Sequence, residues 1–317
     1  MTNNPICKPF AEYTPADRMS AGSICAGDWL KTAVLRLQSK ENFQAEDDCQ
    51  SEKSRHEAML EAQVLLAHAL GRSRAWLLAH PETVLEPDVL FSLENQLAQL
   101  LAGVPLPYLT GQQEFFGLRF EVTPEVLIPR PETELLVETA LAWLRAHPQA
   151  RRAADIGTGS GCIAVCLAAH TPDLCIFGVD CSRAALRVAS RNLEHHGLAE
   201  RTPLLQGHLT TALSGPLDLL CANLPYIPTG KLGDLPVARH EPRLALDGGP
   251  DGLRLVEDLL VDAPRLLAPG GLVLLEIEAG QGRTAAQLAR RCFPRGRVEV
   301  RQDLAGLDRL VQIENSF

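Results

Sequence analysis

The chain has 317 residues, of which 46% are hydrophobic and 22% charged, the balance of an ordinary soluble globular protein, and its length predicts two domains. The net charge of −9 argues against a large nucleic-acid footprint. No apolar run reaches the roughly 20 residues that span a bilayer, and the polar N-terminus lacks the apolar core of a signal peptide, so we expect a cytoplasmic protein. The nine cysteines form no C-x-x-C pair and no histidine cluster has metal-ligand spacing, so we expect reduced thiols and no metal site.

The first part of the chain is predicted to be helical. Apolar residues recur at helical spacing in two stretches, the second of which ends at Gly71. Residues 1–26, which begin with a polar and proline-containing stretch, are expected to form a disordered tail, and the polar residues 40–55 separate the two helical patterns. We therefore assign a helical domain to residues 27–112.

The pattern changes after Glu114, where apolar residues alternate with others and predict a β-hairpin or extended connector over residues 113–130. Strands and helices then alternate over residues 131–317. The predicted strands are 153–156, 174–180, 203–208, 217–222 and 272–277, and the predicted helices are 161–169, 182–196, 252–267 and 281–292. This order predicts an α/β fold with a mostly parallel sheet that is covered on both faces. Two final strands, 298–302 and 309–313, predict an antiparallel hairpin at the sheet edge.

A glycine-rich loop follows the first of these strands, with the sequence Asp155-Ile156-Gly157-Thr158-Gly159-Ser160-Gly161. Glycine has no Cβ, so such a backbone can turn sharply and approach a ligand closely. A dinucleotide fingerprint would need glycine where Cys162 stands, so the loop predicts a smaller nucleoside ligand and disfavours a Rossmann oxidoreductase. Asp180 ends the next strand, where its carboxylate could bind both ribose hydroxyls or only cap the following helix, in competition with Ser182.

The tetrapeptide Asn223-Leu224-Pro225-Tyr226 follows the strand predicted at residues 217–222, at the edge where open α/β sheets bind their ligands. The Asn223 side-chain oxygen and the Leu224 main-chain carbonyl could each accept one N–H of a substrate amide, which aims the amide nitrogen at a methyl donor. Pro225 favours an extended Leu224, and Tyr226 supplies a flat wall for the planar amide. The alternative is a Pro-Tyr turn without a binding role.

These motifs resemble those of the bacterial peptide chain release factor N5-glutamine methyltransferases, the PrmC or HemK family. The resemblance covers nearly everything from about residue 56 onwards. Its most specific segments are PLPYLTG at residues 105–111, FFGL at 115–118, VLIPRPETE at 126–134, the glycine-rich loop at 155–161 and DLAGLDR at 303–309. The PRPETE sequence separates this family from generic methyltransferases better than the glycine-rich loop does.

The resemblance implies a class I S-adenosylmethionine-dependent methyltransferase domain over residues 131–317 and a helical domain over residues 27–112 that recognises the substrate. The substrate would be the glutamine of the Gly-Gly-Gln loop of bacterial release factors, methylated on its side-chain amide, with no stable nucleic-acid partner and no membrane. The implied cofactor-binding residues are Asp155, Ile156, Gly157, Thr158, Gly159, Asp180, His208, Leu209 and Asn223. Asn223, Leu224, Pro225 and Tyr226 would bind the glutamine, with Asn223, Pro225 and Tyr226 as catalytic residues.

The chain departs from the family pattern at three positions. Leu224 replaces the first proline of the usual Asn-Pro-Pro-Tyr, a change that keeps the main-chain carbonyl. His208 stands where an acid commonly receives the adenine amino group, and a neutral imidazole could still accept that hydrogen bond. Glu278 stands where glycine is common, and nothing in the sequence accounts for it.

Three other functions fit parts of this pattern. A ribosomal-protein glutamine methyltransferase shares both halves of the architecture. A nucleic-acid adenine N6-methyltransferase also presents an exocyclic amine to an Asn-x-Pro-Tyr motif, although the acidic charge and the PRPETE segment argue against it. A binding module that has lost catalysis is made conceivable by His208, and the intact Asn223 and Asp180 oppose it.

Overall fold

The computed structural model describes residues 23–41 and 48–316. The chain divides into two compact units, one ending at Thr110 and the other beginning at Gly111. The predicted tail over residues 1–26 lies mostly outside the described residues, but at its end Cys25 forms a bridge with Val84 and Ala26 begins the first helix. The polar stretch at residues 40–55 is likewise described only in part.

The described residues of the N-terminal unit form five helices, labelled α1 to α5. They are α1 (Ala26–Glu41), α2 (Asp48–Leu70), α3 (Arg74–Ala79), α4 (Pro87–Leu101) and α5 (Leu106–Thr110). The core of this unit includes Trp29, Leu65 and Leu93, all buried. Gly71 follows α2 with a φ of +60°, the left-handed conformation that glycine tolerates at a helix end. The predicted helical character of this part is thus observed.

The C-terminal unit begins with a hairpin of β1 (Gln112–Phe115) and β2 (Leu118–Glu121). Phe115 and Phe120 point into the core of the unit and are fully buried. The backbone of Glu121 exchanges two hydrogen bonds with the Asn192 side chain, whose amide also donates to the Ser160 carbonyl. The hairpin is therefore linked to the glycine-rich loop.

A seven-stranded sheet forms the centre of this unit, in the order β5-β4-β3-β6-β7-β9-β8. Its strands are β3 (Arg152–Ile156), β4 (Cys175–Asp180), β5 (Leu204–Gln206), β6 (Leu217–Ala222), β7 (Leu267–Glu276), β8 (Arg297–Gln302) and β9 (Asp308–Glu314). The first five run parallel, and β9 pairs antiparallel with both β7 and β8. The predicted parallel sheet with a C-terminal antiparallel hairpin is confirmed.

Helices cover both faces of the sheet, and side chains alternate between two hydrophobic layers. The helices are α6 (Glu134–Ala146), α7 (Cys162–His170), α8 (Arg183–His195), α9 (Arg254–Leu266) and α10 (Gly282–Cys292). On β6, Leu219 and Cys221 pack with α6 and α7, whereas Leu220 and Ala222 pack with α9 and α10. This period of two is what a strand buried on both faces requires. Within the described residues, no helix is long and apolar enough to cross a membrane.

The strand order reverses between β3 and β6, and this point positions the site. From β3 the chain adds β4 and β5 on one side, and from β6 it adds β7 on the other. The carboxyl ends of β3 and β6 are therefore neighbours with diverging connections, which leaves a crevice between them. The glycine-rich loop follows β3 and the Asn223–Tyr226 segment follows β6, so both border this crevice.

Candidate active site

An open cleft of about 1130 Å³ lies at the carboxyl edge of the sheet. Most of the residues predicted to hold a cofactor line it. They are Ile156, Gly157, Thr158, Gly159, Asp180, His208, Leu209 and Asn223. Asp155 is the exception, since it does not line the cleft.

The glycine-rich loop turns tightly against the Asn223–Tyr226 segment. Gly157 and Gly159 have φ angles of +74° and +55°, which side-chain-bearing residues rarely adopt. A Cβ on Gly157 would lie 3.2 Å from the Leu224 side chain and 3.6 Å from the Asn223 carbonyl oxygen. The absence of a side chain thus keeps this end of the cleft open.

Asp155 lies beneath the loop, where it is fully buried. Its carboxylate accepts hydrogen bonds from the Thr158 hydroxyl at 2.6 Å and from the Ala164 backbone N–H at 3.3 Å. Burial raises the pKa of this carboxyl to about 7, although the bond from Thr158 opposes the shift. The geometry shows that Asp155 holds the loop in shape, and its assignment to the cofactor stays a prediction.

Asp180 lines the cleft and supports the loop at the same time. One carboxylate oxygen accepts from the Gly159 N–H at 2.9 Å, and the other accepts from the Ser182 N–H at 2.8 Å. Helix α8 is capped by Ser182 itself, whose hydroxyl oxygen accepts from the Ala185 N–H. Each Asp180 oxygen keeps acceptor capacity for a ligand, because a carboxylate offers about four acceptor sites.

His208 and Leu209 border the far end of the cleft. His208 is exposed, and Leu209 has a φ of +48°. This left-handed conformation is unusual for leucine and occurs where the chain turns after β5. Both residues lie at the carboxyl edge of the sheet, as predicted from the sequence.

A second cavity of about 560 Å³ adjoins the cleft. Asn223 and Leu224 line both cavities, whereas Tyr226 lines only the second one. Burial of the Tyr226 side chain raises its pKa to about 12, so its hydroxyl is neutral at pH 7. The Asn223–Tyr226 segment therefore forms a wall between two adjoining cavities.

Two contacts that sequence reasoning missed support this wall from behind. The Gln281 side-chain amide donates to the Tyr226 carbonyl oxygen at 3.0 Å. Gln281 also completes a capping box with Glu278, which explains that residue: it caps the 3-10 turn Ala279–Gln281. Gly252, with a φ of +80°, lies against the Tyr226 carbonyl oxygen, where a Cβ would collide. The sequence shows a glycine at position 252, but it does not show that this glycine packs against the Tyr226 carbonyl oxygen.

Replacing Gly252 by alanine should displace the Tyr226 backbone. The new Cβ would meet the Tyr226 carbonyl oxygen and come within 2.7 Å of Gln281 Nε2. Overpacking and left-handed strain together should lower the free energy of unfolding by about 2 to 5 kcal/mol, measured by urea denaturation, and methyl transfer should fall with it. Gly270→Ala is the matched control, because Gly270 also has a positive φ, of +74°, and has nothing within 4 Å of the position that a new methyl group would take. It lies in the N-terminal half of β7, away from the carboxyl edge of the sheet. Equal effects of the two variants would contradict the steric argument.

The PRPETE segment is tied to the loop between β6 and α9 by a buried ion pair. Arg130 pairs with Glu241, whose carboxylate also accepts from the Ile128 N–H at 3.2 Å. The Glu241 side chain is 3% exposed and that of Arg130 is 33% exposed. Arg130 lines both cavities, so this pair fixes one of their shared walls.

The same segment holds the Asn223 side chain. Thr133 lies in the 3-10 turn Pro131–Thr133 that precedes α6. Asn223 Nδ2 donates to Thr133 Oγ1 at 3.0 Å, which leaves the amide oxygen of Asn223 as its remaining polar atom.

The described residues contain no group of His, Cys, Asp and Glu that could hold a metal ion.

Comparison with known proteins identifies the class. Residues 28–111 match the family model described as PrmC N-terminal domain, and residues 131–236 match the one described as Methyltransferase small domain. The human Mettl16 catalytic domain, solved in complex with MAT2A 3′UTR hairpin 6, aligns with a TM-score of 0.53 at 16% identity, over 71% of this chain and 82% of that one. The fold and the domain matches define a class I S-adenosylmethionine-dependent methyltransferase, as predicted.

Two relatives then specify the family. A release factor glutamine methyltransferase of Moorella thermoacetica is 48% identical over 253 residues, which are 79% of this chain and 89% of that protein. Its counterpart in Bordetella pertussis is 44% identical over 257 residues, which are 79% of this chain and 93% of that protein. The chain belongs to the release factor glutamine methyltransferase family, and the resemblance read from the sequence motifs is confirmed.

Proposed function

We propose that this enzyme transfers a methyl group from S-adenosylmethionine to the side-chain amide nitrogen, N5, of the glutamine in the Gly-Gly-Gln motif of bacterial release factors. The observation that carries the proposal is the position of Asn223, which lines both the cleft and the second cavity. The names of the relatives support the same substrate. A substrate that acts in translation also supports a cytoplasmic location.

The cleft suits S-adenosylmethionine, which when bound supplies an electrophilic methyl group on a sulfonium. Gly157 and Gly159 would let the methionine part lie against bare backbone. Asp180 would accept the ribose hydroxyls with the acceptor capacity that its two backbone bonds leave. Ile156 and Thr158 would complete the cradle, and His208 and Leu209 would flank the adenine.

The tetrapeptide would hold the glutamine from the second cavity. The Asn223 side-chain oxygen and the Leu224 carbonyl would accept one N–H each, while Pro225 and the Tyr226 ring confine the planar amide. An amide nitrogen is a poor nucleophile because its lone pair is delocalised. Fixing both hydrogens aims the nitrogen and favours the pyramidal, partly positive transition state. The proton can leave after the methyl transfer, so the chemistry needs no general base beforehand.

Purified protein and methyl-labelled S-adenosylmethionine test the substrate directly. The panel contains a bacterial release factor, the same factor with its Gly-Gly-Gln glutamine changed to alanine, a ribosomal-protein mixture and RNA. We expect label on the unmodified release factor alone, at the glutamine side chain by peptide mass spectrometry. Label on RNA or ribosomal protein and not on the release factor would overturn the proposal.

A further inference from the structure

The orientation of the Asn223 amide decides whether the site can hold a glutamine. The substrate –NH₂ group has donors to offer, so it must meet acceptors. The Asn223 side-chain oxygen and the Leu224 carbonyl form the proposed clamp for the substrate amide. A flipped Asn223 would present its own –NH₂ group to the substrate –NH₂ group, and this clamp would be lost. The structure therefore needs a device that distinguishes the two ends of this amide.

Thr133 alone is not such a device. It is 2% exposed, and its oxygen accepts from Asn223 Nδ2 at 3.0 Å. A hydroxyl can both donate and accept, however, so a free rotor would bond equally well to the oxygen of a flipped asparagine. A third group has to fix the direction of the Thr133 proton.

Glu276, the last residue of β7, supplies this group. It lies on the strand next to β6, is 3% exposed, and its carboxylate lies beside the side chains of Thr133 and Asn223, whose polar groups favour its ionised form. An ionised carboxylate can only accept. Thr133 must then donate its proton to Glu276, and the Thr133 oxygen is left to accept from Asn223.

Glu276 destabilises the fold at this position, which supports a functional reason for its presence. Its Oε2 atom is buried without a hydrogen-bond partner, an arrangement that destabilises a fold by about 1 to 3 kcal/mol and is rare in native proteins. An apolar residue would continue the buried pattern of β7 without this cost. Neither the known motifs nor the cleft lining assigns Glu276 a role.

We infer that Glu276 and Thr133 are positioning residues for the transfer: ionised Glu276 orients the Thr133 hydroxyl, and Thr133 turns the oxygen of Asn223 towards the substrate amide. The inference rests on the proposed amide-binding function of Asn223. It adds a requirement that the tetrapeptide itself does not contain, namely a negative charge behind it.

The charge requirement gives the enzyme a pH dependence near neutrality. Burial raises the pKa of Glu276 to about 7, with the Thr133 hydroxyl, the Arg309 guanidinium and the Asn223 amide opposing the shift and Glu132 reinforcing it. The other titratable groups that interact with Glu276 are Tyr226 and Cys162, both neutral at pH 7 because burial raises their pKa to about 12. The active form is the ionised one, so kcat/KM should fall as the pH drops through about 7.

The test compares Glu276→Gln, Thr133→Val and Thr133→Ser with the wild type. Glu276→Gln and Thr133→Val should lower kcat/KM about 10- to 100-fold, because the amide is misplaced rather than removed. Thr133→Ser retains the hydroxyl and should recover most of the activity. The Kd for S-adenosylmethionine, measured by calorimetry, should stay within about threefold in all three. Glu276→Gln should also lose the fall in kcat/KM near pH 7.

A second readout needs no substrate, so it separates this inference from the proposed function. In protein labelled with ¹⁵N-asparagine, the Asn223 side-chain NH₂ resonances, assigned by their loss in Asn223→Ala, should shift with pH near 7 in the wild type. They should not do so in Glu276→Gln, and in Thr133→Val they should exchange faster with water. Unchanged resonances and an unchanged pH profile in Glu276→Gln would overturn the inference, whichever substrate the enzyme methylates.

Discussion

Asn223→Ala should lower methyl transfer about 10²- to 10³-fold, the loss expected when one preorganised hydrogen-bonding group is removed from a developing charge. Asn223 supplies the only side-chain acceptor of the proposed clamp, and its Nδ2 is engaged by Thr133 at 3.0 Å. The Leu224 carbonyl would remain, but one N–H of the substrate would lose its hydrogen-bond partner. The substrate nitrogen would then no longer be held in line with the methyl group. Single-turnover methylation of a release factor measures the effect.

Cofactor binding is the control for Asn223→Ala. The glycine-rich loop and Asp180 are unchanged in this variant, so the Kd for S-adenosylmethionine should change by less than about tenfold. An Asn223→Ala variant that transfers methyl groups at the wild-type rate would refute the clamp.

Leu224→Pro probes the second acceptor of the clamp, the carbonyl of residue 224. The variant keeps this carbonyl, so transfer should persist. Loss of the leucine side chain, which is 4% exposed, should lower stability by about 1 to 3 kcal/mol.

Arg130→Ala should lower the free energy of unfolding by about 3 kcal/mol, because it leaves the buried Glu241 carboxylate without its counter-charge. The value lies at the lower end of the range for buried pairs, since one third of the Arg130 side chain is exposed to water. Urea unfolding followed by circular dichroism gives the difference. The loop between β6 and α9 should also become more sensitive to proteolysis.

Arg297→Ala provides a matched control for the ion pair. Arg297 pairs with Glu299 at 2.5 Å, but the two side chains are 66% and 45% exposed. An exposed pair contributes little, so this variant should change stability by less than about 1 kcal/mol. Equal losses in Arg130→Ala and Arg297→Ala would show that burial of Glu241 does not set the energy of its ion pair.

Local sequence patterns were sufficient to predict most strands and helices of the C-terminal unit. The strand predicted at 217–222 is observed with the same bounds, because its apolar side chains pack into both layers and a polar turn follows. The glycine-rich loop and Asp180 were also found from the sequence, since the loop follows one strand and Asp180 ends the next. The family resemblance assigned Asp155 to the cofactor, which stays a prediction, whereas its place beneath the loop and its bond from Thr158 came only from the structure.

The sequence by itself determined the class of fold, the family and most of the residues that line the cleft, because these depend on short-range periodicity and on contiguous motifs. Tertiary structure alone decided which groups hold those residues in place. Thr133 meets Asn223 across 90 positions of sequence, and Arg130 meets Glu241 across 111. Such contacts follow from the sheet order that places β6 between β3 and β7, and buried hydrogen bonds between distant segments leave no periodic signal in the chain.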